Sequence, residues 1–310
     1  MHDDTDDVHA APDDDRSSHE ADSDDEAKYE LEYENAVARL HRTAKCDYAG
    51  NDFSTLLQDV PDLDIDTPDP DGYTAVMLAA MRGHSDTTWQ LLDLGVNVNA
   101  VHAASGQTAL LFAASAGHAE TVRILLSGDA NVRIADARGY TALHAAAVGG
   151  HFDVVAIICE GYSAHIKDAV DAEGETALHK AVYERCRDSA GALLNVGVNP
   201  NIKNIAGETA VWHAAHSNSA RMLRLLVQGG GNVNEPNSDG ITPLIALVLW
   251  GFLALQRDDD VAGDAHARLQ ILLAHPDLDI SATFEGKTAH QWALQLGLLT
   301  AASVIEAEVW

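Results

Sequence analysis

The stretch that decides the fold is Arg138-Gly139-Tyr140-Thr141-Ala142-Leu143-His144-Ala145-Ala146. Its glycine suits a tight turn with a positive φ, and the threonine two residues later can cap a helix that begins after it. The small alanine side chains allow that helix to lie close to its neighbours. The stretch therefore predicts a turn that leads directly into a short helix.

This pairing of glycine and threonine recurs along the 310-residue chain. Seven glycines stand two residues before a threonine, and successive glycines are 34, 33, 35, 33, 33 and 46 residues apart. They are Gly72, Gly106, Gly139, Gly174, Gly207, Gly240 and Gly286. Such a regular period is typical of stacked repeats, in which each unit packs mainly on its two neighbours. Function is therefore expected on a surface rather than in a deep central pocket.

Each unit also carries signals for a second helix. A glycine nine residues after the threonine, suited to end the first helix in the left-handed conformation, occurs in five units. These glycines are Gly83, Gly117, Gly150, Gly251 and Gly297. Arg185 and Asn218 stand at this position in two other units, and aliphatic pairs such as Leu125-Leu126 follow in the second helix. Each unit is predicted to be a turn, a helix, a turn and a helix.

These residues resemble the ankyrin repeat, whose pattern is Asp-x-x-Gly-x-Thr-Pro-Leu-His-x-Ala-Ala, then Gly-His, a leucine run and Gly-Ala-x-Val-Asn. The resemblance covers roughly residues 67–310 and is most complete at Asp136–Ile158 and Asp171–Asn199. It implies an all-α solenoid of stacked helix-turn-helix units joined by β-hairpin-like loops. The histidine of the motif is present as His144 and His179, but other residues replace it elsewhere. The replacements are Met77, Leu111, Trp212, Ile245 and Gln291, and one side-chain hydrogen bond is uncertain in those repeats.

The sequence also predicts how the amino-terminal end of the array is capped. Residues 28–66 read as a degenerate amino-terminal helix pair that caps the stack, because Tyr29, Tyr33 and Val37 recur on one helical face. Residues 67–310 hold seven clear repeats, so the ankyrin-repeat domain is expected to span residues 28–310.

The 46-residue step indicates an insertion of about 13 residues near 252–265. Within it, Asp258–Asp264 is expected to project as a charged flap, since such insertions often map to a binding edge. The apolar run Ile241–Leu255 precedes it. This run is too short for a bilayer core, which needs about 20 residues, and it coincides with a repeat helix. We therefore interpret it as a repeat helix and not as a membrane span.

The first 27 residues differ in composition from the rest. They hold 12 Asp or Glu residues against one Arg, with no Phe, Trp or Tyr, and so cannot bury enough apolar surface to fold. Residues 1–27 are predicted to be a disordered acidic tail without a secretory signal. Ser17 and Ser23 have acidic residues downstream and resemble targets of casein-kinase-type enzymes, so they are candidate phosphorylation sites. The alternative is a plain solvated tail.

Charge limits the classes of partner. The net charge is −29, of which the tail supplies −11 and residues 28–310 supply −18. Nucleic-acid binding is disfavoured because it requires a basic stripe that displaces counterions. A basic partner protein is favoured, and the alternatives are an acidic surface that only maintains solubility or a proteome that is acidic as a whole. Three cysteines make no disulfide framework, so we expect a chain that is intracellular, cytoplasmic or nuclear, and monomeric alone.

No motif indicates catalysis, a metal or a cofactor. His84, His118 and His151 all follow a helix-ending glycine, so the repeat pattern accounts for them. Zinc-type Cys and His spacing, a Walker loop, a Gly-x-Ser-x-Gly elbow and a paired-carboxylate motif are not found in the sequence. The chain is predicted not to be an enzyme and to hold no cofactor and no metal.

Recognition is the remaining kind of function. The ankyrin resemblance implies that the hairpin tips and the first helices form a concave face, on which the positions just before the threonine and seven or eight after it are exposed. These positions hold Tyr73, Met81, Arg82, Gln107, Arg138, Tyr140, Glu173, Glu175, Tyr183, Glu184, Glu208, His216, Asp239, Ile241 and Trp250. The tyrosines and Trp250 are candidate anchors, because Tyr, Trp and Arg carry binding hot spots. The glutamates would match a basic partner. For each residue the alternative is that it only covers a neighbouring hairpin or helix.

The sequence thus predicts a non-catalytic protein–protein interaction module or adaptor that binds a partner protein on its concave face. One alternative is an acidic inhibitor or decoy that masks a basic surface of a partner. A second alternative is the substrate-recognition subunit of a larger enzyme complex. No F-box or SOCS-like box accompanies the repeats, which counts against the second alternative.

Overall fold

The computed structural model describes residues 17–46, 53–160, 164–217, 219–251 and 259–308. These residues form eight helix pairs and one additional short helix. The helices are α1 Ser17–Lys45, α2 Phe53–Asp59, α3 Ala75–Arg82, α4 Ser85–Asp93, α5 Ala109–Ala116, α6 Ala119–Ser127, α7 Ala142–Gly149, α8 Phe152–Cys159, α9 Ala164–Lys167, α10 Ala177–Tyr183, α11 Arg187–Asn195, α12 Ala210–Ser217, α13 Ala220–Gln228, α14 Pro243–Ala246, α15 Asp259–Leu273, α16 Ala289–Gln295 and α17 Leu299–Ala307. A π-helical turn, Leu247–Gly251, continues α14.

The pairs are stacked in two rows. The first helices pack on one another in the order α1, α3, α5, α7, α10, α12, α14 and α16, and the second helices from α4 to α17 form the other row. A single cluster of buried apolar residues extends from Ala36 to Ile305 between the rows. Burying one leucine in such a cluster contributes about 2 kcal/mol. The predicted all-α solenoid is confirmed.

The repeat motif acts locally as the sequence predicts. In α7, Thr141 and His144 form a capping box at the start of the helix, and Gly150 ends the helix with a φ of 77°. Arg185 adopts the same left-handed conformation without being a glycine, with a φ of 61°. Gly251 does not end a helix in this way, because it lies in the π-helical turn. A π turn accommodates one extra residue, which fits the start of the insertion.

The loops between pairs form projecting turns that we call fingers. They are residues 69–73, 102–107, 136–140, 171–175, 204–208, 237–241 and 283–288. In the third finger the Asp136 carboxylate accepts hydrogen bonds from the backbone N–H groups of Arg138 and Tyr140, both at 2.9 Å. Such bonds hold the turn without help from a sheet.

Backbone hydrogen bonds join successive finger tips from the second finger to the sixth. Ala172 donates to the carbonyl of Arg138 at 3.1 Å, and Ser238 donates to the carbonyl of Ala206 at 2.9 Å. Within the described residues no such bond joins the sixth finger to the seventh. The seventh finger is instead a small hairpin of β1 Thr283–Phe284 and β2 Lys287–Thr288. The row of fingers therefore changes geometry after the sixth.

The amino-terminal helix is longer than predicted. Helix α1 begins at Ser17, so residues 17–27 of the predicted disordered tail are helical. Alanine and glutamate in this stretch favour a helix, and the packed part of the same helix, with Leu40 and Ala44 buried, can extend it. Ser17 and Ser23 thus lie in α1, whereas residues 1–16 lie outside the described residues.

The insertion also differs from its prediction. Helix α15 begins at Asp259 and therefore includes most of the stretch Asp258–Asp264. The prediction that this stretch projects as a flap is wrong for residues 259–264. Residues 252–258 lie outside the described residues. Acidic residues are favourable in the first turn of a helix, which explains why the stretch is helical. Asp264 accepts a hydrogen bond from the backbone N–H of Ala220 at 2.9 Å, so the segment is attached to α13.

The apolar run Ile241–Leu255 begins with buried repeat structure. Leu244, Ile245 and Val248 are buried in the core cluster. Among the described residues, no helix combines the length and the apolar character that crossing a membrane requires.

Candidate functional site

We call the surface formed by the first helices and the fingers the inner face. At its amino-terminal end the predicted site residues mostly cover their neighbours. The Tyr73 ring stacks on the His102 ring with centroids 4.4 Å apart and packs on Phe112. Met81 and Gln107 are half-buried, whereas Arg82 is exposed at the end of α3. This end of the inner face therefore offers no large exposed aromatic side chain from the predicted set.

In the middle of the inner face, one lysine forms ion pairs with two carboxylates. The ammonium of Lys180 lies 2.7 Å from Asp171 Oδ2 and 2.5 Å from Glu175 Oε2. Burial alone would lower the pKa of Lys180, but the hydrogen bonds to these two carboxylates raise it, so the lysine stays charged. The Tyr140 ring lies 4.8 Å from the Lys180 ammonium and 4.4 Å from Arg138 Cζ. Tyr140 and Glu175 are thus engaged within the fold.

An amide connects this network to the next repeat. Asn204 Nδ2 lies 3.4 Å from Glu175 Oε1 and 3.3 Å from Glu208 Oε2. Glu208 Oε2 also lies 2.9 Å from His213 Nε2. The hydrogen bond with His213 lowers the pKa of Glu208. Glu208 is therefore an ionised carboxylate at neutral pH.

Beyond Glu208 the inner face opens into a cleft of about 670 Å³. It lies between the end of α10, helix α12 and the π-helical turn after α14. We call it the aromatic cleft, and its main lining residues are Tyr183, Glu208, Trp212, His213, His216 and Trp250. This is a concave site with both ring systems and a charged group, as binding sites commonly have.

Trp212 forms the floor of the aromatic cleft. It is only 4% exposed, and its Nε1 donates a hydrogen bond of 2.8 Å to the carbonyl of Ile241. The Trp212 ring centroid lies 4.6 Å from that of His216 and 5.9 Å from that of Trp250. Burial lowers the pKa of His216, so this imidazole is neutral at neutral pH.

Two aromatic side chains of the cleft are exposed. Tyr183 is 66% exposed and Trp250 is 43% exposed. The Tyr183 ring makes an edge contact with His213 at 5.8 Å between centroids. The cleft therefore presents two accessible aromatic rings, and tyrosine and tryptophan are enriched at interfaces.

Comparisons with known proteins identify the family. Models of ankyrin repeats match residues 40–136, 128–204 and 206–238. The chain belongs to the ankyrin repeat family.

The relatives match only part of this chain. Neurogenic locus notch homolog protein 1 of Xenopus laevis is 29% identical over 147 residues, which cover 47% of this chain and 5% of that protein. Protein PhlB of Serratia liquefaciens is 40% identical over 77 residues, covering 24% and 34% of the two chains. The B-cell lymphoma 3 protein homolog of Mus musculus is 36% identical over 86 residues, covering 27% and 19%. The matched part of the chain therefore covers between 5% and 34% of these relatives.

A solved structure supports the fold. The crystal structure of the ankyrin repeat domain of Bcl-3, described as a unique member of the IkappaB protein family, superposes with a TM-score of 0.62. The sequences are 23% identical, and the match covers 72% of this chain and 94% of that one. The similarity shows a shared ankyrin solenoid.

The ankyrin stack divides the predicted site residues among these three regions. It brings Tyr183, Glu208, His216 and Trp250 together in the aromatic cleft, to which Asp239 also contributes. Glu184 and Glu173 are exposed on neighbouring parts of the fold. Ile241 was expected to be exposed, which is wrong: it is buried in the core, and its carbonyl accepts the Trp212 bond.

Sequence reasoning missed several residues of this ankyrin face. In the sequence, Trp212 and Arg185 stand out only as departures from the repeat motif, and His213 and Lys180 do not stand out. Lys180 and Tyr183 are three residues apart on α10, so helical spacing could have placed the lysine on the inner face. His213 has the same spacing on α12, three residues before His216. Arg185 carries no such signal, because its place in the cleft depends on how one repeat packs on the next.

The inner face has no metal centre in the part of the chain that the structure describes. No group of three or more His, Cys, Asp or Glu side chains there has the arrangement to hold an ion. The aromatic cleft is lined by aromatic rings and by the carboxylates of Glu208 and Asp239.

Proposed function

We propose that this protein is a non-catalytic interaction module that binds a partner protein on its inner face, with the aromatic cleft at the centre of the contact. The observation that carries the proposal is the exposure of Tyr183 and Trp250 around a cleft whose floor, Trp212, is buried. Aromatic residues that meet in such a pocket are the usual anchors of an interface.

The surroundings of the cleft support a protein partner. Glu184 and Asp239 are exposed next to the aromatic residues, and an interface commonly has a polar edge around an aromatic centre. The middle of the inner face is fixed by the Lys180 network, so the cleft sits on a rigid support. A preformed site loses little conformational entropy on binding.

The cellular setting of the protein stays a prediction from its sequence. We expect it to act inside the cell, in the cytoplasm or the nucleus, and to be monomeric until it meets its partner. Phosphorylation of Ser17 or Ser23 would add charge to the amino-terminal helix and stays a separate prediction.

The test begins with affinity capture from the native cell extract on the full chain. The captured protein is identified, purified and titrated against variants. The double variant Tyr183→Ala with Trp250→Ala is expected to weaken binding by about tenfold or more, as loss of hot-spot residues does. The matched control is Trp89→Ala with Phe152→Ala, which removes two exposed aromatic side chains from the second helices α4 and α8.

Two results would contradict the proposal. One is an equal loss of affinity in the control variant, which would show that exposed aromatic groups anywhere on the chain suffice. The other is loss of binding in a form lacking residues 1–16, together with release at modest salt, while the cleft variant binds normally. That second result would favour an acidic inhibitor or decoy.

A further inference from the structure

We propose that the aromatic cleft receives the guanidinium group of an arginine side chain from a partner segment. This inference rests on the proposed function and specifies the chemistry of its partner. A guanidinium is planar and delocalised, so it stacks on the faces of aromatic rings, and it pairs with carboxylates through two parallel N–H groups. The cleft supplies both kinds of contact.

The rings of the cleft are inclined to one another. The Trp212 and Trp250 planes make an angle of 58°, and the Trp250 and His216 planes an angle of 68°. Because Trp212 is buried and Trp250 is partly exposed, the indole of Trp250 presents the accessible π surface on this side. Tyr183 offers a second exposed ring from α10.

Charge favours a cation between these rings. Glu208 and Asp239 both line the cleft, and Arg185 is the positive residue that lines it with them. The hydrogen bonds from Asn204 and His213 both reach Oε2 of Glu208, so they do not engage its other oxygen. The negative charge of these two carboxylates exceeds the single positive charge of Arg185, and the chain as a whole has a net charge of −29. The field of the protein therefore draws cations toward the cleft.

An ordinary exposed tryptophan provides an internal control. Trp89 is 58% exposed in α4 and has Asp86 and Asp93 three residues before it and four after it. It thus combines an accessible indole with carboxylates on one helix face, but it lacks the walls of a cleft. Any general affinity of arginine for acidic, tryptophan-bearing surfaces would show at Trp89 as well.

The experiment follows the indole N–H signals of the ¹⁵N-labelled full chain during titration with three small probes. These are N-acetyl-arginine amide, N-acetyl-lysine amide and N-acetyl-citrulline amide, the last of which has nearly the shape of arginine without its charge. Trp250→Phe assigns the cleft signal. We expect the Trp250 signal to shift to saturation with the arginine probe at a concentration about fivefold lower than with either other probe.

Charge variants test the sign of the effect. Asp239→Asn is expected to weaken binding of the arginine probe by about threefold, and Arg185→Gln to strengthen it by a similar factor, since each changes one charge at a partly solvated site. The control Asp93→Asn is expected to leave the Trp250 titration unchanged. Equal shifts at Trp89 and Trp250, or equal binding of citrulline and arginine, would overturn the inference.

The inference and the proposed function can fail separately. If the cleft double variant loses its protein partner but the arginine probe shows no preference for Trp250, the proposed function holds and the arginine assignment is wrong. If the arginine probe saturates the cleft but the protein partner binds the double variant normally, the arginine site exists and the proposed function is wrong.

Discussion

The indole Nε1 of Trp212 donates a 2.8 Å hydrogen bond to the carbonyl oxygen of Ile241. His144 and His179 make the corresponding contacts through Nε2, to the carbonyls of Glu175 and Glu208 at 3.0 Å and 3.2 Å. A tryptophan at the histidine position thus preserves the bond between one repeat and the next finger. It also supplies the floor of the aromatic cleft, so one substitution serves both the fold and the inner face.

Replacing Trp212 by phenylalanine should therefore destabilise the stack. The Trp212→Phe variant loses the bond to Ile241 and leaves a small void, which together cost about 2 kcal/mol. Urea unfolding followed by circular dichroism measures the change. Trp89→Phe, at an exposed site, is the control and should change the free energy of unfolding little. An unchanged stability of Trp212→Phe would contradict the structural role of the bond.

Arg268 should be a second point of stability, because it fixes helix α15, which begins within the insertion. Its buried side chain donates from Nη1 to the carbonyl of Ala215 at 2.9 Å, and its Nε lies 3.1 Å from Asp264 Oδ2. Arg268→Met is expected to lower the free energy of unfolding by about 2 kcal/mol, since it breaks a buried ion pair whose carboxylate remains partly hydrated. The exposed Arg224→Met is the control, and chemical denaturation is the measurement. Equal stability of the two variants would show that α15 does not depend on this residue.

We expect the folding stability to fall in mild acid because the buried imidazole of His179 resists protonation. Burial lowers the pKa of His179 from 6.5 to about 4. The unfolded chain therefore binds a proton near pH 6.5, whereas the folded chain binds it only near pH 4, and the native state loses stability as the pH falls through this window. The shift corresponds to about 3 kcal/mol.

His179→Gln tests this linkage with a residue that the chain already uses. Gln291 forms the same capping box with Thr288, so glutamine should keep the start of α10 intact. Unfolding free energies measured between pH 7 and pH 4 should decline less in the variant than in the native protein. Parallel declines in the two proteins would assign the acid sensitivity to other groups.

Arg185 stores backbone strain that a glycine should relieve. Its φ of 61° matches the left-handed conformation of the glycines at the same place in other repeats. Arg185→Gly is expected to raise the free energy of unfolding by about 0.5–1 kcal/mol. Gly117→Ala is the opposite control, because a Cβ there would lie 2.4 Å from the His151 ring. A destabilised Arg185→Gly would mean that the contacts of the arginine outweigh the strain.

The sequence was sufficient for the fold and insufficient for the cleft. The glycine and threonine of the motif lie close together within each unit, so the turns, caps and helix pairs could be predicted from short stretches of sequence. The contacts of Tyr183 with His213 and of Trp212 with Trp250 depend on how adjacent repeats pack. The attachment of helix α15 to α13 uses a contact between Asp264 and Ala220, which lie 44 residues apart. No local pattern carries such information.

Site-specific photo-crosslinking tests whether the aromatic cleft contacts the partner protein. A benzophenone amino acid replaces Tyr183, Trp250 or Trp89 in three otherwise identical full chains, and each is illuminated with the captured partner. We expect crosslinks from positions 183 and 250 to one arginine-containing segment of the partner, and little or none from position 89. Crosslinking from position 89 as efficient as from the cleft, or none from either cleft position while the partner stays bound, would contradict it.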